Sequence, residues 1–230
     1  MKPGILTPRL VLLLLVSLVI VPLLPILISQ RWDWWEGWVY AAANTFSFVI
    51  SRILAGRRHP EIIEERAKFM QQSNTASFDK RLVLLSGLSG VLIPLTSGLD
   101  ELLNWSPAFS LPLKILALII ILAGFSLSSY ALIENRYFSG TVRIQAERGH
   151  QVVSSGPYRW MRHPGYAGSM IANLAIPIFL DSSWTFLPAI LAILILIIRT
   201  SLEDRYLQVN LQGYRDYTDR VPYRLIPGVW

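Results

Sequence analysis

The chain contains no cysteine, which removes disulfide bridges, thiolate nucleophiles, iron–sulfur clusters and cysteine-ligated zinc together. Histidine is almost as scarce: His59, His150 and His163 are too scattered to suggest a metal-ligating cluster, and no metal is expected. Charged residues make up 16% of the sequence against 53% hydrophobic. Low-complexity tracts, internal repeats and any stretch resembling a soluble domain are missing as well. What is present is apolar sequence in long blocks, and a helix needs about 20 apolar residues to cross the hydrocarbon of a bilayer. Blocks rather than amphipathic stripes imply an all-α, polytopic integral membrane protein.

Hydropathy gives about six spans: Leu10–Ser29, Trp34–Leu54, Leu82–Ser97, Leu111–Ile133, Tyr166–Leu180 and Trp184–Thr200. The third and fifth are short; either flanking residues extend them, or the fifth and sixth form a tight hairpin around Asp181-Ser182-Ser183. The run from Leu10 is longer than the apolar core of a signal peptide, contains Pro22 and Pro25, and lacks a small-x-small cleavage site, so it is expected to be retained. A net charge of +6 would suggest nucleic acid in a soluble protein. Its distribution points elsewhere, because 19 of the 21 basic residues fall on one side of a six-span arrangement and only Arg31 and Lys114 on the other. The positive-inside rule then places both termini and the long connections in the cytoplasm. Membrane lipids are expected partners and nucleic acid is not. Residues 1–133 read as N-terminal membrane helices and residues 134–230 as the part that carries chemistry, within one membrane domain.

Between Ala55 and Lys80 the run Pro60-Glu61-Ile62-Ile63-Glu64-Glu65-Arg66 predicts a short helix starting at Pro60, with acids where the helix dipole favours them. The stretch 134–166 is denser. Gln145 and His150 offer donors and acceptors, Val152 and Val153 favour extended backbone, and Gly156-Pro157 forces a turn. Tyr158, Trp160 and Tyr166 surround Arg162-His163-Pro164 with aromatic faces that can stack on a base or hold a cation. An interfacial belt of Trp and Tyr with snorkelling Arg would use the same residues. Further on, Arg199 and Glu203 are four apart and share a helix face, as a stabilising ion pair or as ionisable groups serving a site at the membrane edge.

Gly156-Pro157-Tyr158, then Arg162-His163-Pro164-Gly165-Tyr166-Ala167-Gly168, then Arg199 and Glu203, then Gly213-Tyr214, Tyr217 and Val221-Pro222 resemble the isoprenylcysteine carboxyl methyltransferase family. The likeness runs from about Gln145 to the end of the chain, whereas the first 130 residues match only in being spans. The resemblance implies a cytoplasm-facing pocket for S-adenosylmethionine, built by the C-terminal helices and the flanking polar segments. Gln145, His150, Gln151, Val152, Val153, Tyr158, His163, Pro164, Gly165 and Tyr166 fall where the family contacts that donor. Arg199 and Glu203 fall where it contacts the methyl acceptor, an amphiphilic carboxylate, lipid amine or small thiol. Methyl transfer from a sulfonium needs in-line alignment and exclusion of water, with no nucleophilic side chain and no metal. The related membrane sterol reductases, which use NADPH, and a non-enzymatic transporter or scaffold stand as alternatives.

Overall fold

The computed structural model describes Leu12, residues 15–67, Gln72 and residues 74–230. All regular structure among the described residues is helical. Helix α1 is Val16–Ser29, opening with a π-helical turn over Val16–Ile20 just ahead of Pro22 and Pro25. Among the described residues four helices are long and apolar enough to cross a membrane: α2 (Trp35–Arg58), α4 (Asp79–Leu103), α5 (Leu111–Glu134) and α7 (Phe186–Asn210). Between α2 and α4 lies the short α3 (Glu61–Ala67), the helix expected to start at Pro60, which begins one residue later. Helix α6 (Pro164–Phe179) precedes α7, and α8 (Tyr214–Arg220) follows it.

Four helices among the described residues reach full spanning length, against about six expected spans, with the apolar Val16–Ser29 shorter. The start of the first expected span, at positions 10, 11, 13 and 14, lies outside the described residues. Flanking residues do extend the third span: α4 carries the expected Leu82–Ser97 to 25 residues. Its extra turns contain Asp79, Lys80, Arg81, Asp100 and Glu101, polar residues at which a hydropathy window stops. Trp184 belongs to the turn before α7, and that helix runs ten residues past Thr200, the expected end. Helix α6 has only 16 residues, fewer than the about 20 of a typical span. It nevertheless lies antiparallel along α5, from Gly165 beside Ser128 to Asp181 beside Lys114.

Small residues permit that close pairing. A Cβ at Gly124 would collide with the backbone of Gly168 and Ala172, and one at Gly168 with the backbone of Gly124 and Ser128. The Ser128 hydroxyl donates to Gly165 O at 2.9 Å across the same seam. Backbones brought this near gain dispersion contacts that lipid cannot supply, the usual reason for small residues between membrane helices.

The two ends of the bundle differ. One end gathers the tight turns at 30–34, 104–110 and 180–185, and there Lys114 Nζ joins Glu36 at 2.5 Å and Asp181 at 2.8 Å. Asp100 receives Ser182 Oγ at 2.5 Å and Ser106 Oγ at 2.8 Å nearby. At the opposite end lie α3, the long connection 135–163, the last turns of α7 and the C-terminal segment. The candidate chemistry is at that second end.

Candidate functional site

Past Glu134 the chain makes no regular element for almost thirty residues except two 3-10 turns, Ala146–Arg148 and Gly156–Arg159. Buried ion pairs hold it in place instead. Glu65 of α3 accepts from Arg143 Nε at 3.0 Å and Nη2 at 2.7 Å, and also from Ser139 and Gln72. Burial raises the Glu65 carboxyl, but Arg143 and the hydroxyl and amide donors outweigh it and hold the group below its ordinary range. Asp79, at the first turn of α4, accepts the Val142 N–H at 2.6 Å. The segment 139–143 is thereby strapped over the helix ends as one wall of a cavity.

That cavity has a volume of about 480 Å³, within the usual range for small-molecule pockets. Its opposite wall is the extended run from His150 to Val153, followed by Tyr158. Among the described residues, Gln151, Val152 and Val153 make no backbone hydrogen bond with one another or with their neighbours, so their amides and carbonyls are free to meet a ligand. His163, Gly165 and Tyr166, at the start of α6, close a third side, and Arg199 and Glu203 of α7 a fourth.

Ten of the twelve residues expected at the site line this cavity; Gln145 and Pro164 do not. The Gln145 side chain is fully buried, donates to Tyr137 O at 2.7 Å and accepts from Arg148. Its backbone N–H reaches His150 Nδ1 at 3.3 Å, so Gln145 ties the turn together behind the cavity. Pro164 opens α6, where the missing N–H of proline is no loss. His150 packs 4.4 Å from the Tyr137 ring, and burial, reinforced by Arg148 and Arg143, lowers its pKa to about 4.

Of the two readings of the Arg199 and Glu203 spacing, the i,i+4 ion pair is not formed. Arg199 donates Nε and Nη2 to Asp79 and a further bond from Nη2 to Gly140 O at 2.9 Å. Glu203 instead accepts the Tyr166 hydroxyl at 2.7 Å. Four-residue spacing put both on one face, but carboxylate and hydroxyl partners from other segments proved closer. His163 stacks on Tyr166 with ring centroids 5.9 Å apart and planes 4° from parallel, and its Nε2 lies 3.3 Å from Asp204.

Asp204 was not singled out in the sequence, yet it organises this region. Fully buried, it receives Arg162 Nε at 2.7 Å, Arg224 Nε at 3.0 Å, Gln208 Nε2 at 2.9 Å and the Tyr214 hydroxyl at 3.1 Å. Arg162 also donates Nη1 to the carbonyls of Val221 and Pro222. The N–H groups of Arg162 and His163 donate to Tyr223 O and Arg224 O. The C-terminal segment is thus fastened beneath the Arg162-His163 corner. Tyr217, which donates to Tyr158 O at 2.7 Å, fixes the opposite wall in the same way. A carboxylate one residue after Glu203, below a run containing two arginines, was the available signal.

The architecture is therefore that of a helical, multi-pass membrane protein with a polar cavity at one end of the bundle. Residues 116–209 match the Isoprenylcysteine carboxyl methyltransferase (ICMT) family. The chain is 31% identical over 108 residues to Protein-S-isoprenylcysteine O-methyltransferase B of Arabidopsis thaliana, covering 46% of this chain and 55% of that protein. It is 30% identical over 95 residues to Delta(14)-sterol reductase TM7SF2 of Mus musculus, covering 40% and 23%. Over 67 residues it is 38% identical to YpbQ of Bacillus subtilis (strain 168), covering 29% and 40%. The chain spans less than two thirds of the length of each of these relatives. The segment similar to the ICMT family supplies most of the cavity lining. Helices α1 to α4 and the C-terminal fastening lie outside the matched residues.

Proposed function

We propose that the protein is a membrane methyltransferase that takes its methyl group from S-adenosylmethionine and gives it to an amphiphilic acceptor. The observation that carries this reading is the cavity in which eight of the ten expected donor residues meet both expected acceptor residues, joined by the Tyr166–Glu203 hydrogen bond. The match to the ICMT family over 116–209 supports it, since that stretch includes both sets.

The residues suit the donor in kind. Free backbone groups at Gln151–Val153 can meet the edge of a purine, while Tyr158 and Tyr166 offer faces to a base or a sulfonium. S-adenosylmethionine supplies an activated methyl group on a positively charged sulfur. Glu203 can accept a proton from an acceptor that arrives protonated, and Tyr166 keeps that carboxylate aimed at the cavity. Walls from α2, α5 and α7 exclude water and fix the approach of the acceptor. The excess of Lys and Arg at the cavity end of the bundle supports a cytoplasmic mouth.

Titration calorimetry of detergent-purified protein with S-adenosylmethionine, and separately with NADPH, tests the reading. Binding of the former with transfer of labelled methyl to extracted membrane lipids is the expected result. Binding of NADPH alone would favour the reductase class represented by the mouse relative.

A further inference from the structure

Among the described residues, two arginines that line the cavity have a buried guanidinium nitrogen with no hydrogen-bond partner. Arg52, in the penultimate turn of α2, donates Nη1 to Ser51 Oγ at 2.8 Å and sits 3.7 Å from the centre of the Phe48 ring. Its Nε is buried and unbonded. Arg66 of α3 lies 5.5 Å from the Phe138 ring, and its Nη1 is likewise buried and unbonded. Among the described residues, Glu134, Glu65 and Asp79 pair with Arg58, Arg143 and Arg199 rather than with either guanidinium. The carboxylates around the cavity are engaged elsewhere: Glu65 by Arg143, Asp79 by Arg199, Glu203 by Tyr166.

A buried guanidinium lacking a counter-charge is strongly disfavoured unless something else supplies one. Burial holds Arg66 below its ordinary pKa, as expected for a cation waiting for an anion. A guanidinium presents a planar fork that matches the oxygens of phosphate or carboxylate. Beside the pair, Phe48, Phe125, Leu132 and Leu196 give the cavity an apolar lining, suited to a hydrocarbon tail. The proposed donor contacts, from His150 to Tyr166, belong to other walls.

We propose that Arg52 and Arg66 form an anion subsite that holds the oxyanion head group of an amphiphilic acceptor, anchoring it without reacting. The word acceptor rests on the methyltransferase reading; the anion subsite itself does not.

The test uses the full chain in a neutral maltoside detergent, with dodecyl phosphate, inorganic phosphate and dodecanol as probes of thermal unfolding. Dodecyl phosphate should raise Tm, and its apparent affinity should fall by about 10-fold or more in Arg52→Gln and in Arg66→Gln. S-adenosylmethionine affinity should stay within about 3-fold in both variants. Without probe, Arg66→Gln should be at least as stable as the parent, because it relieves an uncompensated charge. A clear loss of ligand-free stability in that variant would make Arg66 structural and overturn the proposal. So would equal stabilisation by dodecanol, which removes the anion, or by inorganic phosphate, which removes the amphiphile. Parallel loss of S-adenosylmethionine affinity would reassign the subsite to the donor's own carboxylate. A parent protein that responds to dodecyl phosphate but binds no S-adenosylmethionine would keep the subsite and discard the methyltransferase reading.

Discussion

Arg199 and Asp79, 120 positions apart in sequence, form a two-bond ion pair with Nε–Oδ1 at 2.7 Å and Nη2–Oδ2 at 3.0 Å. Because the same two side chains also hold Gly140 O and the Val142 N–H, they clamp α4, α7 and the 139–143 wall together. Removing one partner strands a buried charge, so Arg199→Ala and Asp79→Asn should each destabilise the protein by about 3–5 kcal/mol. Donor affinity should fall with methyl transfer in both variants. Calorimetry beside a single-turnover assay checks this; Arg199→Ala that binds the donor normally yet transfers nothing would assign Arg199 to the acceptor alone.

Tyr166→Phe separates geometry from proton chemistry. The ring remains to stack on His163 while the bond to Glu203 is lost. Donor affinity should hold within about 3-fold and the transfer rate should drop by about 10²-fold, the lower range for a misplaced acid–base group. Glu203→Gln keeps an acceptor for the Tyr166 hydroxyl but cannot take a proton, so its rate should drop without loss of stability. Equal rates in all three proteins would remove Glu203 from the reaction.

Asp204 predicts the most damaging single change at this end. Asp204→Ala leaves Arg162 buried against an empty site and unfastens Arg224, His163 and Tyr214 together. A loss above about 4 kcal/mol, the exceptional range for point substitutions, is expected as failure to accumulate or a large drop in Tm. Arg224→Ala, with a side chain 26% exposed, should cost much less. Comparable stability for Asp204→Ala and the parent would contradict the role assigned to this carboxylate.

The arrangement of the helices also fixes a labelling pattern. Single cysteines placed at Asn74 and Trp230 of this cysteine-free chain should react from the same side of the membrane. Cysteines at Trp105 and Ser183, in the turns of the other end, should react from the opposite side. Labelling of all four from one side would rule out the bundle as a spanning arrangement.

Much of the fold was legible because apolar blocks and their flanking charges are one-dimensional signals. Helix α3 was readable from Pro60 and the acids after it, and α7 from its long apolar run. The ends of α4 and α7 were not, since Asp79, Asp100 and Asp204 look like span-terminating charges until their partners are known. Residues 150–153, 158, 163, 165 and 166 were named through the family resemblance, and all of them line the cavity. The mates of Arg199 and Glu203 were illegible for a different reason. Local spacing shows which side chains share a face, whereas Asp79 and Tyr166 arrive from segments whose position only tertiary packing decides. Arg52 and Arg66 read as topology charges in sequence, and among the described residues their buried, unbonded guanidinium nitrogens set them apart.

His150 gives the pH dependence a sign and a window. Its Nδ1 accepts the Gln145 N–H and its ring lies against Tyr137, so the turn is built around a neutral imidazole. Burial first, then Arg148 and Arg143, lowers its pKa from 6.5 to about 4 in the folded protein. On acidification the unfolded chain therefore takes up this proton before the folded one does, and the stability present above pH 6.5 drains away down to about pH 4. His150→Asn supplies an oxygen acceptor near the Nδ1 position and does not titrate in this range. Tm measured from pH 7.5 to pH 4 should consequently fall less steeply in the variant than in the parent, about in the interval between pH 6.5 and pH 4. Donor affinity in the parent should stay level to about pH 5, because the folded ring is still neutral there. Identical acid slopes in the two proteins would mean that another group carries the loss. An affinity that declines already near pH 6.5 would mean that the ring is protonated in the folded state and that the Gln145 contact is not maintained.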